Sequence, residues 1–286
     1  MTEIAQVIGS QDWLDDIAKP VEKAVEKAFP GEGGRAVKDA LHGRWLGHPL
    51  HPVFTDIPIG AWMMAQVFDA LGATRRTRAY DNAAKVCITT GLLGAVGAAV
   101  TGLADWSETG RDSRRLGFVH GMINITATSL FLTSALLRRR RKTSGAVAAS
   151  STGFAVAMAG AYLGGALVYQ REIGPHHALD WNAPDQFTRA IAVADLPEGT
   201  KRKLHIGDVD VVVGRHQGKL FALAERCAHQ GGPMSEGEMK DGTIVCPWHG
   251  STYCVDSGKL VHGPSVYDQP CYETRENGGF LEIRRR

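Results

Sequence analysis

Four long apolar stretches constrain the fold of this 286-residue chain more than any other feature. Each is close to the ~20 residues with which a helix crosses the ~30 Å hydrocarbon layer of a membrane. Arg and Lys cluster between the stretches and not along one face of each, which disfavours the alternative of a water-soluble helical bundle. We therefore predict an α-helical four-span membrane bundle over residues 46–170, with apolar segments at roughly 53–72, 86–104, 116–137 and 146–169.

Small residues recur within the second and fourth stretches. Without a side chain, glycine lets helix backbones approach closely, which is how helices associate in lipid. The small faces predicted to make these contacts contain Gly91, Gly94, Gly97, Gly102, Gly160, Gly164 and Gly165.

The segments on either side of the bundle have a different character. Residues 1–45 are polar and contain an amphipathic pattern, which predicts a helix lying beside the membrane or a partner, with a solvated tail as the alternative. Residues 171–187 predict a linker. From 188 to 286, short β-runs separated by glycine-containing turns predict a small all-β domain of antiparallel sheets. The net charge of +2 gives no reason to expect a nucleic-acid partner.

The predicted β-domain carries two short motifs that combine thiols with imidazoles, Cys227-x-His229 and Cys246-x-x-His249. Two Cys on one iron and two His on the other are the ligand set of a Rieske [2Fe–2S] centre. A zinc site is the alternative, but classical zinc fingers pair Cys with Cys and His with His. We therefore predict a cluster-binding subdomain that holds one [2Fe–2S] cluster per chain through Cys227, His229, Cys246 and His249.

Residues 188–286 resemble the small Rieske ferredoxins of bacterial aromatic-ring dioxygenase systems. Four segments carry the resemblance: 227–233 (CAHQGGP), 236–237 (EG), 246–251 (CPWHGS) and 263–264 (GP). The resemblance implies that Cys227 and Cys246 bind a buried iron and that His229 and His249 bind the outer iron. It also implies that the outer edges of the two histidines are the route for electrons.

Two features set this chain apart within the Rieske proteins. The high-potential Rieske proteins of cytochrome bc complexes carry an additional Cys in each loop, joined as a disulfide, and this chain has Gly232 and Trp248 there. Ser251 and Tyr253 nevertheless match hydroxyl residues that, in bc-type proteins, bond a bridging sulfide and a Cys sulfur. Such bonds stabilise the reduced cluster. The resemblance thus implies a potential between the two types, whereas an ordinary strand aromatic is the alternative for Tyr253.

The membrane part resembles an uncharacterised bacterial family of four-helix membrane domains marked by a His-Pro-x-His-Pro motif, here at 48–52 (HPLHP). Ionisable residues in spanning segments are costly and indicate a functional site. His51 and His120 are candidates to bind a haem b or a quinone, or to carry protons. The alternative is that His48, His51 and Asp56 bond one another and fix the helix packing.

Charge asymmetry predicts the orientation in a bacterial cytoplasmic membrane. Four spans would place both termini on one side, and basic loops mark the cytoplasmic side. We therefore expect the Rieske domain outside the cytoplasm, with the run at 138–142 acting as an internal twin-arginine signal. The alternative is a stop-transfer cluster with the domain inside. The nine loop charges are Arg75, Arg76, Arg78, Lys85, Arg138, Arg139, Arg140, Arg141 and Lys142.

Together these patterns predict a membrane-anchored Rieske protein that transfers single electrons. Its expected partner is a reductase, a cytochrome, an oxygenase component or a quinone, with a possible haem or quinone in the bundle. The alternatives are a quinol oxidoreductase-like subunit and a redox or iron–sulfur sensor. No substrate-converting site is identified, and an oxygenase is disfavoured because no mononuclear-iron domain follows the cluster motifs.

Overall fold

The chain divides into a helical unit and a β-unit, each with its own core. The helical unit contains the residues up to Gly34 together with Pro49–Ile173, and the β-unit contains Arg35–His48 together with Gly174–Arg286. Arg76, one of the nine loop charges, lies outside the described residues. The structure is a computed structural model that describes residues 3–75, 77–179 and 182–286.

The helices of the described residues form two antiparallel hairpins, α4 with α5 and α6 with α7, preceded by three shorter helices. Helix α3 begins in the helical unit and ends in the β-unit. The helices are α1 (Glu3–Gly9), α2 (Asp15–Ala28), α3 (Gly31–His42), α4 (Leu50–Arg75), α5 (Arg78–Trp106), α6 (Arg111–Arg139) and α7 (Thr143–Arg171).

Glycines allow the two helices of each hairpin to approach closely. A Cβ added at Gly91 of α5 would lie 2.2 Å from the Trp62 ring of α4, and one at Gly97 would lie 2.4 Å from the Phe54 ring. In the second hairpin, a Cβ at Gly160 of α7 would lie 2.8 Å from Oδ1 of Asn124 on α6, whereas one at Gly165 would meet only Tyr169 of its own helix, at 4.0 Å. The predicted small residues therefore allow close helix packing, except at Gly165.

Three helices of the described chain are long and apolar enough to cross a membrane: Arg78–Trp106, Asp112–Arg139 and Thr143–Arg171. The segment predicted at 53–72 also forms a helix, α4, but it does not join these three. The predicted count of four spans is therefore not exact, because α4 contains Asp56, Gln66 and Asp69.

The N-terminal helices α1 and α2 pack against α6. Arg114 donates to one oxygen of Asp15 at 3.0 Å and Arg115 donates to the other at 2.9 Å. The hydrogen bond from Arg115, with the charge of Arg114, holds the pKa of the Asp15 carboxyl well below its usual range. The amphipathic segment, expected beside the membrane or a partner, thus packs on the chain's own bundle, where Asp15 is the partner of two buried arginines.

The β-unit contains three antiparallel sheets, in the strand orders β1-β10-β9, β2-β3-β4 and β5-β6-β7-β8. The predicted all-β domain of antiparallel sheets is thus confirmed. Its strands are β1 (Thr188–Ala192), β2 (Lys201–Ile206), β3 (Val209–His216), β4 (Lys219–Ala224), β5 (Glu238–Lys240), β6 (Thr243–Val245), β7 (Thr252–Cys254), β8 (Leu260–His262), β9 (Glu273–Asn277) and β10 (Phe280–Arg284).

The core of the β-unit extends beyond the strands. Val211, Val212 and Val213 of β3 are fully buried in succession, so both faces of this strand are covered. Ala178 and Ala183, within the predicted linker 171–187, are buried in the same core. The linker residues from Gly174 onward therefore stabilise the β-unit, and the N-terminal segment predicted as one piece over 1–45 is divided between the two units.

Candidate iron–sulfur centre

Two loops of the same construction present the Cys and His motifs. The first follows β4 and the second joins β6 to β7. In each loop, the backbone N–H of the Cys donates to the carbonyl of the residue five positions later, Cys227 to Gly232 and Cys246 to Ser251, both at 2.8 Å. Gly231 and Gly250 occupy the same loop position with φ of +72° and +78°. Glycine is suited there because other residues resist this conformation.

The thiols lie inside and the imidazoles lie further out. Cys227 and Cys246 are 0% and 2% exposed, whereas His229 and His249 are half-buried. The centres of the two imidazole rings are 5.0 Å apart, at an interplanar angle of 89°. Two imidazoles bound to one tetrahedral metal ion, with bonds of about 2 Å, would have ring centres roughly 5 Å apart. The spacing therefore fits two ligands on a single outer iron.

The electrostatics of the four side chains suit iron. Burial holds the pKa of His229 well below its usual range, so the ring stays neutral and keeps a lone pair. The Cys227 thiol donates a hydrogen bond to the Cys246 sulfur. This hydrogen bond raises the pKa of Cys227 and lowers the pKa of Cys246 to about 7. A thiol that ionises easily is ready to bind a metal as thiolate.

The four candidate ligands form two pairs, one of thiols and one of imidazoles. Within the part of the chain that the structure describes, no three His, Cys, Asp or Glu side chains converge to hold one metal ion. A tetrahedral zinc ion would need its protein ligands around one point. The two buried thiols and the two half-buried imidazoles provide one pair of ligands for each iron, as a [2Fe–2S] cluster requires.

Tyr253 and Ser251 stand behind the thiols. The Tyr253 hydroxyl, fully buried, lies 3.3 Å from the Cys227 sulfur. Burial raises the pKa of Tyr253 well above its usual value, so the hydroxyl keeps the proton that it donates. Ser251 accepts a bond from the Ser265 N–H at 3.0 Å, which leaves its own proton to donate. The Tyr253 hydroxyl can thus donate to the Cys227 sulfur, and the Ser251 hydroxyl bonds the Tyr253 hydroxyl.

The two positions that carry the disulfide in bc-type proteins also meet here. A Cβ added at Gly232 would lie 2.7 Å from the Cys246 sulfur and 3.1 Å from the Trp248 ring. The bare backbone of Gly232 therefore lets the two loops close upon each other. All five cysteines are free.

Gln269 holds the first loop and is not apparent from the sequence. Its side-chain nitrogen donates to the carbonyls of Ala224 and Arg226, both at 2.7 Å. Its side-chain oxygen accepts the N–H of Ala228, between the two ligands of the loop, at 2.9 Å. At 2% exposure this amide is enclosed by the backbone that it orders. A single glutamine so distant in sequence gives no detectable signal.

Asp39 of α3 holds the loop that begins at Gly263. Its carboxylate accepts the Gly263 N–H at 2.9 Å and also bonds the Nδ1 of His262 at 3.3 Å. Arg44 pairs with the same carboxylate at 3.1 Å and donates to the Leu260 carbonyl at 3.1 Å. A segment from the N-terminal part of the chain therefore fixes the third loop around the centre.

The residues that follow α7 are tied to the same region. The N–H of His177 donates to the Ala228 carbonyl in the first ligand loop at 3.0 Å. The Tyr267 hydroxyl donates to the Gly174 carbonyl at 2.9 Å. The first part of the predicted linker thus supports the first ligand loop.

The candidate residues of the membrane part are only partly brought together. The rings of His51 and His120 lie 6.5 Å apart, centre to centre. Asp56 is exposed, and within the described residues it makes no hydrogen bond or ion pair with His51. His48 belongs to the β-unit. Asp56 lies on an exposed face of α4, so in the described residues the predicted alternative gains no bond between Asp56 and His51.

The geometry defines an iron–sulfur protein of the Rieske type. The family described as Rieske [2Fe-2S] domain matches residues 186–273, and the family described as Predicted membrane protein (DUF2231) matches residues 47–177. The chain belongs to the Rieske [2Fe–2S] domain family, with a second domain of the predicted membrane family. It therefore binds a [2Fe–2S] cluster and takes part in electron transfer.

Individual relatives match the β-unit. The chain is 32% identical over 95 residues to the 3-phenylpropionate/cinnamic acid dioxygenase ferredoxin subunit of Escherichia coli (strain K12), covering 33% of this chain and 89% of the relative. It is 32% identical over 74 residues to apoptosis-inducing factor 3 of Mus musculus, covering 26% of this chain and 12% of that protein.

Solved structures of ferredoxins also match part of this chain. The ferredoxin of carbazole 1,9a-dioxygenase from Nocardioides aromaticivorans IC177 has a TM-score of 0.34 and 19% identity, and the match covers 35% of this chain and 99% of that chain. The Sphingomonas yanoikuyae B1 ferredoxin has a TM-score of 0.34 and 20% identity, and the match covers 35% of this chain and 100% of that chain.

Proposed function

We propose that this chain is a membrane-anchored carrier of single electrons that exchanges them with a separate redox partner. The observation that carries the proposal is the pair of half-buried imidazoles, His229 and His249, at the outer side of two buried thiols in a chain that also has three apolar helices. The cluster supplies a one-electron couple when bound. The helices would keep this couple at the bilayer instead of letting it diffuse.

Each residue of the centre has a separate task. Cys227 and Cys246 would hold the inner iron as thiolates, and His229 and His249 would hold the outer iron as neutral imidazoles. Tyr253 donates to the sulfur of Cys227, which favours the more negative, reduced state. Burial of the thiols excludes water, so contact with a partner is left to the imidazole side.

A protein partner fits the surface beside the imidazoles. Trp248 is 57% exposed and lies next to His249 along the chain, with ring centres 6.4 Å apart. Exposed aromatic side chains are common anchors of protein interfaces. The ferredoxin relatives bear names that make them subunits of dioxygenase systems. We therefore propose a reductase, a cytochrome or an oxygenase component as the partner class.

We propose further that the β-unit faces away from the cytoplasm. Helix α7 begins beside a run of exposed basic residues, Arg139 to Lys142, and ends at Arg171, where the chain enters the β-unit. Basic loops favour the cytoplasmic side. Protease added to intact spheroplasts should then cleave the β-unit. Cleavage only after lysis would place the unit inside and contradict this orientation.

The bundle itself is the candidate for a second redox group. His51 and His120 come from different hairpins and approach each other. We propose that this pair belongs to a haem or quinone site through which electrons reach or leave the cluster.

Spectroscopy of the full chain in detergent tests the carrier function. Reduction with dithionite should produce a one-electron paramagnetic signal, with iron and sulfide in equal amounts. The signal should disappear in Cys227→Ala and persist in Cys254→Ala, since Cys254 lies outside the two motifs. Loss of the signal in both variants, or its survival in both, would contradict the ligand assignment. Release of the chain from membranes by alkaline carbonate would contradict the anchoring.

A further inference from the structure

The two hairpins of the helical unit repeat one another. Helices α4 and α6 each carry a histidine, then an aromatic residue, then a charged residue, and the spacings between the three are the same in both helices. Residues at matching positions contact each other, so the hairpins are related by an internal two-fold axis. The contacts across the axis are His51 with His120, Trp62 with Phe131, and Asp69 with Arg138.

The three contacts differ in closeness. The Trp62 and Phe131 rings are stacked, with centres 4.0 Å apart, and Arg138 bonds Asp69 at 2.6 Å. The imidazole centres of the first pair are 6.5 Å apart. The hairpins pack tightly within themselves and sparsely against each other. The contacts between the hairpins are thus closest in the middle and at the basic end, and widest at the histidine end, where α7 finishes.

Both histidines are held in the same way. Nδ1 of His51 lies 2.9 Å from the Ala98 carbonyl on α5, and Nδ1 of His120 lies 2.9 Å from the Gly160 carbonyl on α7. A carbonyl only accepts, so Nδ1 carries the proton in each ring and Nε2 keeps a lone pair. The Asn124 amide nitrogen donates to the His120 backbone carbonyl at 2.8 Å and lies 3.3 Å from both nitrogens of the His120 ring, so it is only a weak competitor for the Nε2 lone pair.

We propose that His51 and His120 are the two axial ligands of a haem iron. A metal–imidazole bond is about 2 Å and the ring nitrogen lies about 1 Å from the ring centre, so two opposite ligands on one iron place ring centres roughly 6 Å apart. The observed 6.5 Å fits this arrangement. By contrast, the 5.0 Å of His229 and His249 fits two neighbouring positions on a tetrahedral iron.

The tautomer of His51 and His120 distinguishes a haem site from a quinone site. A quinone carbonyl needs hydrogen-bond donors, whereas both available Nε2 atoms are acceptors. A Lewis-acidic iron satisfies two lone pairs at once, and a backbone carbonyl on Nδ1–H is the usual support of a metal-bound histidine. The inference rests on the proposed carrier function for the role of the haem, but the binding of haem is tested separately.

Haem content is the direct test. The full chain, purified in detergent and incubated with hemin, should bind about one haem per chain with a low-spin absorption spectrum. His51→Ala and His120→Ala should each lower the haem affinity at least tenfold. His205→Ala, a change at an exposed histidine of the β-unit, should leave it unchanged. Haem that stays bound with unchanged affinity in both ligand variants would overturn the proposal.

A glycine pair tests the geometry without removing a ligand. A Cβ at Gly102 would lie 2.6 Å from Cε1 of His51, whereas nothing lies within 4 Å of one at Gly60 on α4. Gly102→Ala should therefore lower the haem affinity about tenfold, and Gly60→Ala should not change it. Equal haem affinities in these two variants would overturn the placement of His51 as a ligand of the haem iron.

The cluster signal of the same samples separates the two proposals. Wild-type protein that shows the paramagnetic cluster signal but binds no haem, or that holds a quinone in its place, would overturn the haem site and leave the carrier function standing. Haem bound at the expected level without a cluster would overturn the carrier function and support the haem site. In every variant, the cluster signal also reports whether the β-unit has folded, and thermal unfolding of the helices reports the same for the helical unit.

Discussion

Removal of the Tyr253 hydroxyl should lower the midpoint potential of the cluster while all four ligands stay in place. The hydroxyl is buried and lies 3.3 Å from the Cys227 sulfur. A hydrogen bond to a charged acceptor contributes about 1.5–3 kcal/mol, and the sulfur gains negative charge on reduction, so the reduced state should lose roughly 1–2 kcal/mol more than the oxidised state. A tenfold change in a one-electron equilibrium is 59 mV, so Tyr253→Phe should lower the potential by about 40–85 mV.

A redox titration of the full chain in detergent, followed by the paramagnetic signal, measures this shift. Tyr267→Phe is the matched control, because its hydroxyl donates to the Gly174 carbonyl and not to a cluster sulfur. The control should leave the potential within experimental error. An unchanged potential in Tyr253→Phe, with the signal intact, would refute the role of the hydroxyl. An equal fall in both variants would mean that general loosening of the unit lowers the potential.

Three further predictions concern the surroundings of the two sites. Gln269→Leu leaves three buried backbone groups of the first loop unpaired, so cluster content should fall severalfold, as iron and sulfide analysis would show. Arg138→Met leaves the Asp69 carboxylate buried without its partner and should destabilise the helical unit by about 3–5 kcal/mol, measured by thermal unfolding, with Asp69→Leu recovering most of the loss. The hydrogen bond from Arg115, above all, lowers the pKa of the Asp15 carboxyl in the folded state. The resulting stabilisation of the fold is complete above the ordinary carboxyl pKa near 4, and it is lost as the pH falls toward the pKa of the folded state. Asp15→Asn should therefore lower the unfolding temperature at pH 7, and the difference from wild type should shrink below about pH 4.

The cluster motifs are predictable because their information is local. The short spacing from Cys227 to His229, and from Cys246 to His249, places one ligand of each kind on one tight loop. The turn of each loop also depends on a neighbouring glycine, such as Gly231. A motif that lies within a few residues can be recognised from the sequence, since no contact with a distant residue has to be known.

The supports of the site are not predictable in this way. Asp39 and Gln269 each act through bonds to backbone groups that are distant in sequence, and a single Asp or Gln has no periodicity that marks such a role. Short strands such as β5 and β8 also lack the apolar run that identifies β3. Their positions are set by pairing with neighbours, which the sequence does not display.

The helical unit shows the same limit for charges. In the sequence, Arg138 counts as one of several loop charges at the end of a span. In the structure its side chain is fully buried and bonds Asp69 on another helix. Charge counting treats each residue as solvated, so it does not detect a pair that forms only when four helices pack.

The division of the chain has a consequence for how the protein can be taken apart. The β-unit is not one continuous piece, because Arg35–His48 belongs to it and precedes the bundle in sequence. A fragment that starts at Gly174 would keep all four ligands of the cluster. It would lose Asp39 and Arg44, and with them the bonds that hold the Gly263 loop. A soluble fragment made by cutting at the linker would thus differ from the intact protein at the centre that it was made to study, and a transplanted N-terminal segment would be needed to restore it.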